Sequence, residues 1–215
     1  MKPIPALLLL LFPLVAFAQK KMTMEDISKL KQGRLDTMVS LMHITTTDIV
    51  ADIGTGKGYN LVRLSKYYPL IRYYVEDIDS SSCNRRNLQK MIKAYNPAIS
   101  IDSFVITYGT YTSTRLPKNY FTKVMMTAVL HECDYKDEML ADIKSILKPG
   151  GLLFIEEPHT KRPMPKAKGC HLPYLTEDEL KATLARNGIE ILEEKPIPDA
   201  GAGERFRKFY KCSVI

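Results

Sequence analysis

Val50-Ala51-Asp52-Ile53-Gly54-Thr55-Gly56-Lys57-Gly58 is the stretch that decides how this chain is read. The apolar run Ile49 to Ile53 ends in three glycines at alternate positions, and a helix-like segment, Tyr59 to Tyr68, follows at once. In an α/β fold, a buried strand that feeds a glycine turn and then a helix brings backbone close to a nucleotide-like ligand. Glycine tolerates the positive φ of such a turn and, lacking Cβ, lets a ligand lie against the main chain. The spacing narrows the ligand. A dinucleotide fingerprint requires G-x-G-x-x-G, and its third glycine position here is Tyr59. A phosphate-binding P-loop requires G-x-x-x-x-G-K-[ST], which nothing here supplies. What remains is Asp52-x-Gly54-x-Gly56-x-Gly58.

Working outward, strands and helices alternate. Upstream, Ile27, Leu30, Leu35, Met38, Val39 and Met42 recur near helical spacing, which predicts an amphipathic helix over Met24 to His43. Downstream, strands are expected at Ile71 to Val75, Ile101 to Ile106, Lys123 to Val129 and Leu152 to Ile155. Helices are expected at Ser80 to Tyr95 and Tyr135 to Leu147, and Lys148-Pro149-Gly150-Gly151 is expected to turn the chain. Thr176 to Asn187 opens on Thr-x-x-Glu, a capping box, and closes on Gly188. Two last strands, Ile189 to Lys195 and Phe206 to Val214, have no helix between them. Their connection is too short for a parallel crossover, so they should pair antiparallel. The pattern predicts a three-layer, Rossmann-like α/β fold with a seven-stranded, mainly parallel sheet and an antiparallel last strand.

The chain has 215 residues, 45% hydrophobic and 26% charged, which suits one globular domain with a full core and argues against disorder. Residues 1–18 stand apart. Lys2, the apolar run Ile4 to Phe17 and Ala16-Phe17-Ala18 before Gln19 read as a secretory signal peptide with an A-x-A cleavage site. The competing reading is an uncleaved anchor with the domain in the cytoplasm. The apolar run is short for a span and Pro5 and Pro13 interrupt it, although Lys20 and Lys21 favour a cytoplasmic flank. Residues 19–215 would then form a single domain with an N-terminal helix, exported to the periplasm or secreted. Cleavage would remove Lys2 and bring the net charge from +7 to +6. That excess is interspersed, so a nucleic-acid partner is not expected, and membrane contact follows only if the first segment stays uncleaved. Cys83, Cys133, Cys170 and Cys212 contain no C-x-x-C; an exported chain permits disulfides, but four cysteines allow three pairings.

In an open parallel sheet, ligands sit beyond the carboxyl ends of the strands. Four segments fall there: Gly54 to Gly58, Glu76 to Asp79, Tyr108 to Thr110, and Thr127 to Cys133. Asp77 lies 19 residues after Gly58, where an acid closing the second strand can accept both hydroxyl hydrogens of a ribose. Asp52 is read as fixing the glycine loop or meeting a ligand's ammonium, rather than as a proton-transfer base.

The ordered set of segments resembles the class I S-adenosylmethionine (SAM) methyltransferases over about residues 35 to 215. Asp52 to Gly58 resembles their first motif and Val75-Glu76-Asp77-Ile78-Asp79 their acidic second motif. Leu130-His131-Glu132 and Leu147-Lys148-Pro149-Gly150-Gly151-Leu152-Leu153 resemble the later ones. The resemblance implies SAM as cofactor, with Gly54, Gly56 and Gly58 at its methionine end, Asp77 on the ribose and Ile78 on the adenine. Gly109 would flank the adenine edge, and Thr127 joins the cofactor-binding set. Two positions depart from the pattern. Thr110 stands where many members carry Asp or Asn, though its hydroxyl can still hydrogen-bond, and Thr122 stands where Asp is common before the fourth strand.

Methyl transfer from an activated sulfonium needs alignment above all, and a base only if the acceptor keeps its proton. His131 and Glu132 are the candidates for that base, with His131 equally readable as a loop histidine that positions the next helix. Glu156 and Glu157, ending the fifth strand, would face the acceptor or the solvent. The basic stretch Lys161 to Lys168 falls where the family often builds an acceptor lid, and it would suit an anionic acceptor. Cys133, His159, Cys170 and His171 match no standard zinc spacing, so no metal ligands are assigned. The acceptor is expected to be a small molecule or a metalloid, captured in the latter case by thiols. A signal peptide sits uneasily with a cytosolic cofactor, so the alternative is an exported, non-catalytic module that binds SAM or another nucleoside.

Overall fold

The structure is a computed structural model that describes residues 23–164, 166, 169–198 and 205–215. The leader-like segment 1–18 lies outside the described residues, as do 165, 167 and 168 of the basic stretch.

Seven strands form one sheet in the order β3-β2-β1-β4-β5-β7-β6. They are β1 (Val50–Ile53), β2 (Tyr73–Asp77), β3 (Phe104–Tyr108), β4 (Phe121–Thr127), β5 (Leu147–Thr160), β6 (Ile189–Ile197) and β7 (Arg205–Val214). The pairs from β3 through β5 are parallel, while β7 runs antiparallel to both β5 and β6. Among the described residues five helices cover the faces: α1 (Met24–Met42), α2 (Tyr59–Leu64), α3 (Arg85–Tyr95), α4 (Lys136–Ile146) and α5 (Glu177–Arg186). Strand alternation divides the core in two. Val50, Tyr73, Val75, Met125, Phe154 and Phe209 pack against α1, α2 and α3. Ala51, Ile53, Tyr74, Val124, Met126, Leu153 and Ile155 pack against α4 and α5. The expected three-layer sheet, including its antiparallel last strand, is the observed one.

Several boundaries differ from expectation, each for a local reason. Helix α3 begins at Arg85 rather than Ser80, because Asn84 caps it by accepting from the Asn87 amide. Residues before it are held in a turn, with the Ser81 amide on Asp79 Oδ1 and the Cys83 amide on the Asp79 carbonyl. Ile101–Ser103 forms a 3-10 turn capped by Ser100, so β3 starts only at Phe104. Strand β4 stops at Thr127, since Ala128 takes φ 57° and Leu130–Glu132 winds into a second 3-10 turn. Strand β5 runs well past Ile155 to Thr160 because β7 pairs with it all the way to Thr160↔Arg205. All four cysteines are free thiols.

Candidate active site

The glycine loop is tied down from three directions. The Thr55 amide donates to the Glu76 carbonyl (2.9 Å), linking β1 to β2. The Thr55 hydroxyl donates to Asp52 Oδ2 (2.7 Å), joining Asp52 to the loop. The Gly56 amide donates to Asp77 Oδ2 (2.7 Å), and the Asp79 amide to Asp77 Oδ1 (2.8 Å). Two amides thus orient the Asp77 carboxylate at the end of β2 and leave it further lone pairs. Gly54 has φ +66°, and any Cβ there would press on Val129; a Cβ on Gly58 would meet Leu88 of α3. The loop therefore lies flat against its neighbours.

A cleft of about 520 Å³ opens over these strand ends. Gly54, Asp77 and Ile78 line it at one end, Thr110 and Val129 along its walls, and Glu132, Cys133, Asp134 and His171 at the other end. Ile78 stands half exposed at its rim. Thr110 caps the turn that follows β3: its hydroxyl accepts from the Ser113 amide (3.1 Å). Of the other residues expected here, Asp52, Gly56, Gly58, Gly109 and Thr127 lie behind or beside the lining rather than on it. Gly109 is forced to be glycine by Glu76, whose Oε1 and the Ser113 carbonyl occupy the space a Cβ would need. Thr122, the other departure from the pattern, donates to Asp48 Oδ1 (2.7 Å) and ties β4 to the chain before β1.

Glu76 also lines the cleft, and its importance was not apparent from sequence. It closes a run of apolar strand residues one step before Asp77, so it looks like part of a solvated acidic turn. It is in fact buried, and burial pushes its carboxyl up to about 8, with Asp77 and Asp52 adding like charge. Burial likewise raises Asp52 to about 7. Asp52 Oδ1, Glu76 Oε1 and Thr127 Oγ1 are three of the four buried side-chain polar atoms without a partner among the described residues. All three belong to the carboxyl ends of β1, β2 and β4. Buried polar groups are normally satisfied, and this orphaned set, with Glu76 on the cleft lining and Asp52 and Thr127 behind it, suits a ligand that carries hydroxyls and a cationic group.

At the opposite end, the 3-10 turn Leu130–Glu132 places two of the expected residues together. His131 is buried, with Nδ1 2.6 Å from Glu157 Oε2 and Nε2 3.3 Å from Glu132 Oε1. Glu157 Oε1 also accepts from the Leu130 amide (2.7 Å). Neither Glu156 nor Glu157 faces solvent or an acceptor, contrary to expectation, because β5 continues past them under the cover of β7. Glu156 instead joins Arg34 and Arg207, each at 2.6 Å. The histidines and cysteines considered as one metal set do not assemble. His159 is buried away from the cleft, with its ring nitrogens on the Leu175 carbonyl (3.0 Å) and the Tyr210 hydroxyl (2.9 Å). The Cys133 thiol donates to the Val129 carbonyl and is pushed up to about 11 by burial. His171 does line the cleft, where its amide donates to Glu132 Oε2 (2.7 Å), and Cys170 lies beside Glu132 and His131 behind that lining. The lid expected of the basic stretch falls in part on residues 165, 167 and 168, outside the described residues.

Residues 24–194 match the model of the methyltransferase domain family. No curated protein is matched by the sequence. Among solved structures, a SAM-dependent methyltransferase from Aquifex aeolicus superposes with TM-score 0.69 at 18% identity, covering 91% of this chain and 100% of that one. Geranyl diphosphate C-methyltransferase from Streptomyces coelicolor, solved with Mg2+, geranyl diphosphate and S-adenosyl-L-homocysteine, gives TM-score 0.70 at 12% identity, covering 88% and 80%. The [4+2]-cyclase SpnF gives 0.67 at 15% identity, covering 84% and 80%. At these identities the likeness is one of fold.

Proposed function

The chain belongs to the methyltransferase domain family, with S-adenosylmethionine as its cofactor, and from that premise we propose that the cleft transfers a methyl group to a small-molecule acceptor by in-line displacement. The observation that carries this reading is the convergence of Gly54, Asp77, Ile78 and Thr110, from three separate strand ends, on one cleft. In it, Asp77 accepts the ribose hydroxyls, held in aim by the Gly56 and Asp79 amides. Ile78 packs on the adenine, and Gly109 with Thr110 bounds its edge. Gly54 lets the methionine end lie on bare backbone, while Gly56 and Gly58 shape the loop beside it, near the orphaned oxygen of Asp52.

When bound, SAM supplies a methyl already activated by its sulfonium. The remaining work is alignment, on the order of 7–11 kcal/mol in favourable cases, and removal of the acceptor's proton where it has one. His131 is arranged for the second task. Glu157 accepts from Nδ1, and Nε2 stands 3.3 Å from Glu132 Oε1, so a proton taken from an acceptor at Nε2 would be held against that carboxylate. Which nitrogen carries the proton beforehand follows from the Glu157 partner. A cleft of about 520 Å³ falls in the usual range for a single bound small molecule, roughly 300–1,000 Å³, so a cofactor of nucleoside size leaves room for a small acceptor only. A small acceptor also accords with the geranyl diphosphate bound in the Streptomyces enzyme.

Calorimetric titration of the protein with SAM tests the reading directly. Micromolar binding that Asp77→Ala weakens at least tenfold is expected, with His131→Gln leaving the SAM affinity within a few-fold of wild type. A folded protein with no heat of SAM binding would sink it.

A further inference from the structure

The cleft end opposite Asp77 holds a cluster that the methyl-transfer reading does not use in full. His131, Glu132 and Cys170 each offer one ligand atom, and these atoms all lie within 4.8 Å of one another. It is the one such grouping of three potential ligands found among the described residues. We propose that these three residues form a site for a zinc-class divalent cation, with an open coordination position toward the acceptor end of the cleft.

Three features point to this chemistry. The first is the donor set. One imidazole nitrogen, one carboxylate and one thiol make a mixed set that suits a borderline transition ion, whereas magnesium and calcium call for oxygen throughout. Three protein ligands beside an open cleft is also the arrangement of a catalytic rather than a structural zinc. The second is spacing. A tetrahedral ion with bonds of about 2.0–2.3 Å sets its ligands roughly 3.3–3.8 Å apart. His131 Nε2 and Glu132 Oε1 already stand at 3.3 Å. The third is support behind the ligands. The fully buried Glu157 takes the other ring nitrogen of His131 at 2.6 Å, so Nε2 is turned toward the cluster. A carboxylate behind a ligating histidine fixes its tautomer and raises its basicity. Glu132 is steadied through its second oxygen by the His171 amide.

Sequence spacing concealed the site. His131 and Glu132 are adjacent, but Cys170 arrives from the far side of β5, 38 positions later, on the segment that leads to α5. Of the three ligands Glu132 lines the cleft, with His131 and Cys170 behind it, so the open position is assigned to the side of Glu132 that faces the cleft. An ion there would occupy His131 Nε2 and so take over its task as base: it would hold the acceptor's oxygen or sulfur and favour loss of its proton to solvent before the new bond to carbon forms and S-adenosylhomocysteine departs. That role rests on the methyl-transfer reading. The binding itself does not.

Metal-stripped protein titrated with Co2+ tests the proposal. Expected are one equivalent bound with micromolar or better affinity, a near-ultraviolet thiolate-to-cobalt charge-transfer band, and displacement by Zn2+. Cys170→Ser should abolish the band, and Glu132→Gln should weaken binding at least tenfold. Should His131→Gln fail to fold once Glu157 loses its partner, Cys170→Ser still decides, since Cys170 lies on a loop and is only partly buried. No Co2+ uptake by folded protein, or uptake that Cys170→Ser leaves unchanged, would overturn the site and leave only a hydrogen-bonded loop anchor. SAM calorimetry on the same sample separates the two readings. SAM binding without metal binding removes the ion alone, and metal binding without SAM binding removes the cofactor alone.

Discussion

Gly56 and Gly54 stand two residues apart with nearly the same positive φ, +57° and +66°, yet a methyl group added to each meets different surroundings. At Gly54 it would lie 2.6 Å from Val129 Cγ2, so the wall of the cleft must shift and the backbone is strained as well. Gly54→Ala should therefore destabilise the fold by roughly 2–4 kcal/mol, the sum of left-handed strain and overpacking. At Gly56 nothing lies within 4 Å. Gly56→Ala should cost only the left-handed penalty, about 1–2 kcal/mol, yet disturb the amide that orients the Asp77 carboxylate toward the cleft. Chemical denaturation and SAM calorimetry on the pair give the check. We expect Gly56→Ala to lose tenfold or more in SAM affinity while staying folded. Wild-type affinity in that variant would show that the ligand does not use the loop.

Between elements, the notable device is Glu156. Its buried carboxylate receives Arg34 from α1 and Arg207 from β7, so one strand residue clamps the N-terminal helix to the antiparallel edge of the sheet. Removing it would take from Arg34 and Arg207 the anion they share in a partly desolvated place. Glu156→Ala should fall near the low end of the loss of about 3–5 kcal/mol typical of a broken buried pair, because Arg34 is a third exposed. A urea midpoint measured beside that of Glu157→Gln would read it. An unchanged midpoint would mean that α1 docks through its apolar face alone. This clamp also marks the limit of what the sequence made legible. Strand order, layers and the cofactor end of the cleft follow from local signals: apolar runs of strand length, glycines at alternate positions, an acid closing β2. Glu156 and Glu157 carry no local signal, since an acidic pair after an apolar run looks like a strand meeting solvent. Their partners are remote, 122 positions away for Arg34 and 26 for His131. Glu76 was hidden in the same way, its burial set by the turn after β3 closing over it at Gly109. Long-range pairing decides such residues, and periodicity does not report it.

For the molecule as a whole, buried acids give stability and ligand binding a shared dependence on pH. Burial raises Asp52 from 3.8 to about 7 and Glu76 from 4.5 to about 8, with no cation beside either. In the unfolded chain both titrate near their ordinary values, so between about pH 4 and 8 the folded state holds more protons than the unfolded one. Their contribution to stability is complete below the unfolded values and is lost as pH rises through the folded ones. Asp48 and Asp142 act in the opposite sense. Burial is the largest single influence on each and pushes it up, but hydrogen bonds from Lys123, Thr122 and Thr45 to Asp48, and from Lys118 and Thr114 to Asp142, together outweigh it and hold both low, so what they add is lost only as pH falls below the ordinary carboxylate range. The ligand-free protein should thus be most stable on the mildly acidic side and melt progressively lower from about pH 5 to 8.5. Glu76→Gln should flatten that slope, and Asp52→Asn should flatten its lower part. SAM carries an ammonium and a sulfonium, and a cation near these carboxyls favours their ionised forms. Its affinity should therefore rise across the same window while binding releases protons, which calorimetry in buffers of different ionisation enthalpy will count. Proton release that persists undiminished in Glu76→Gln would assign it to another group. A melting temperature flat from pH 5 to 8.5 in wild type would mean that these two acids reach solvent when the cleft opens.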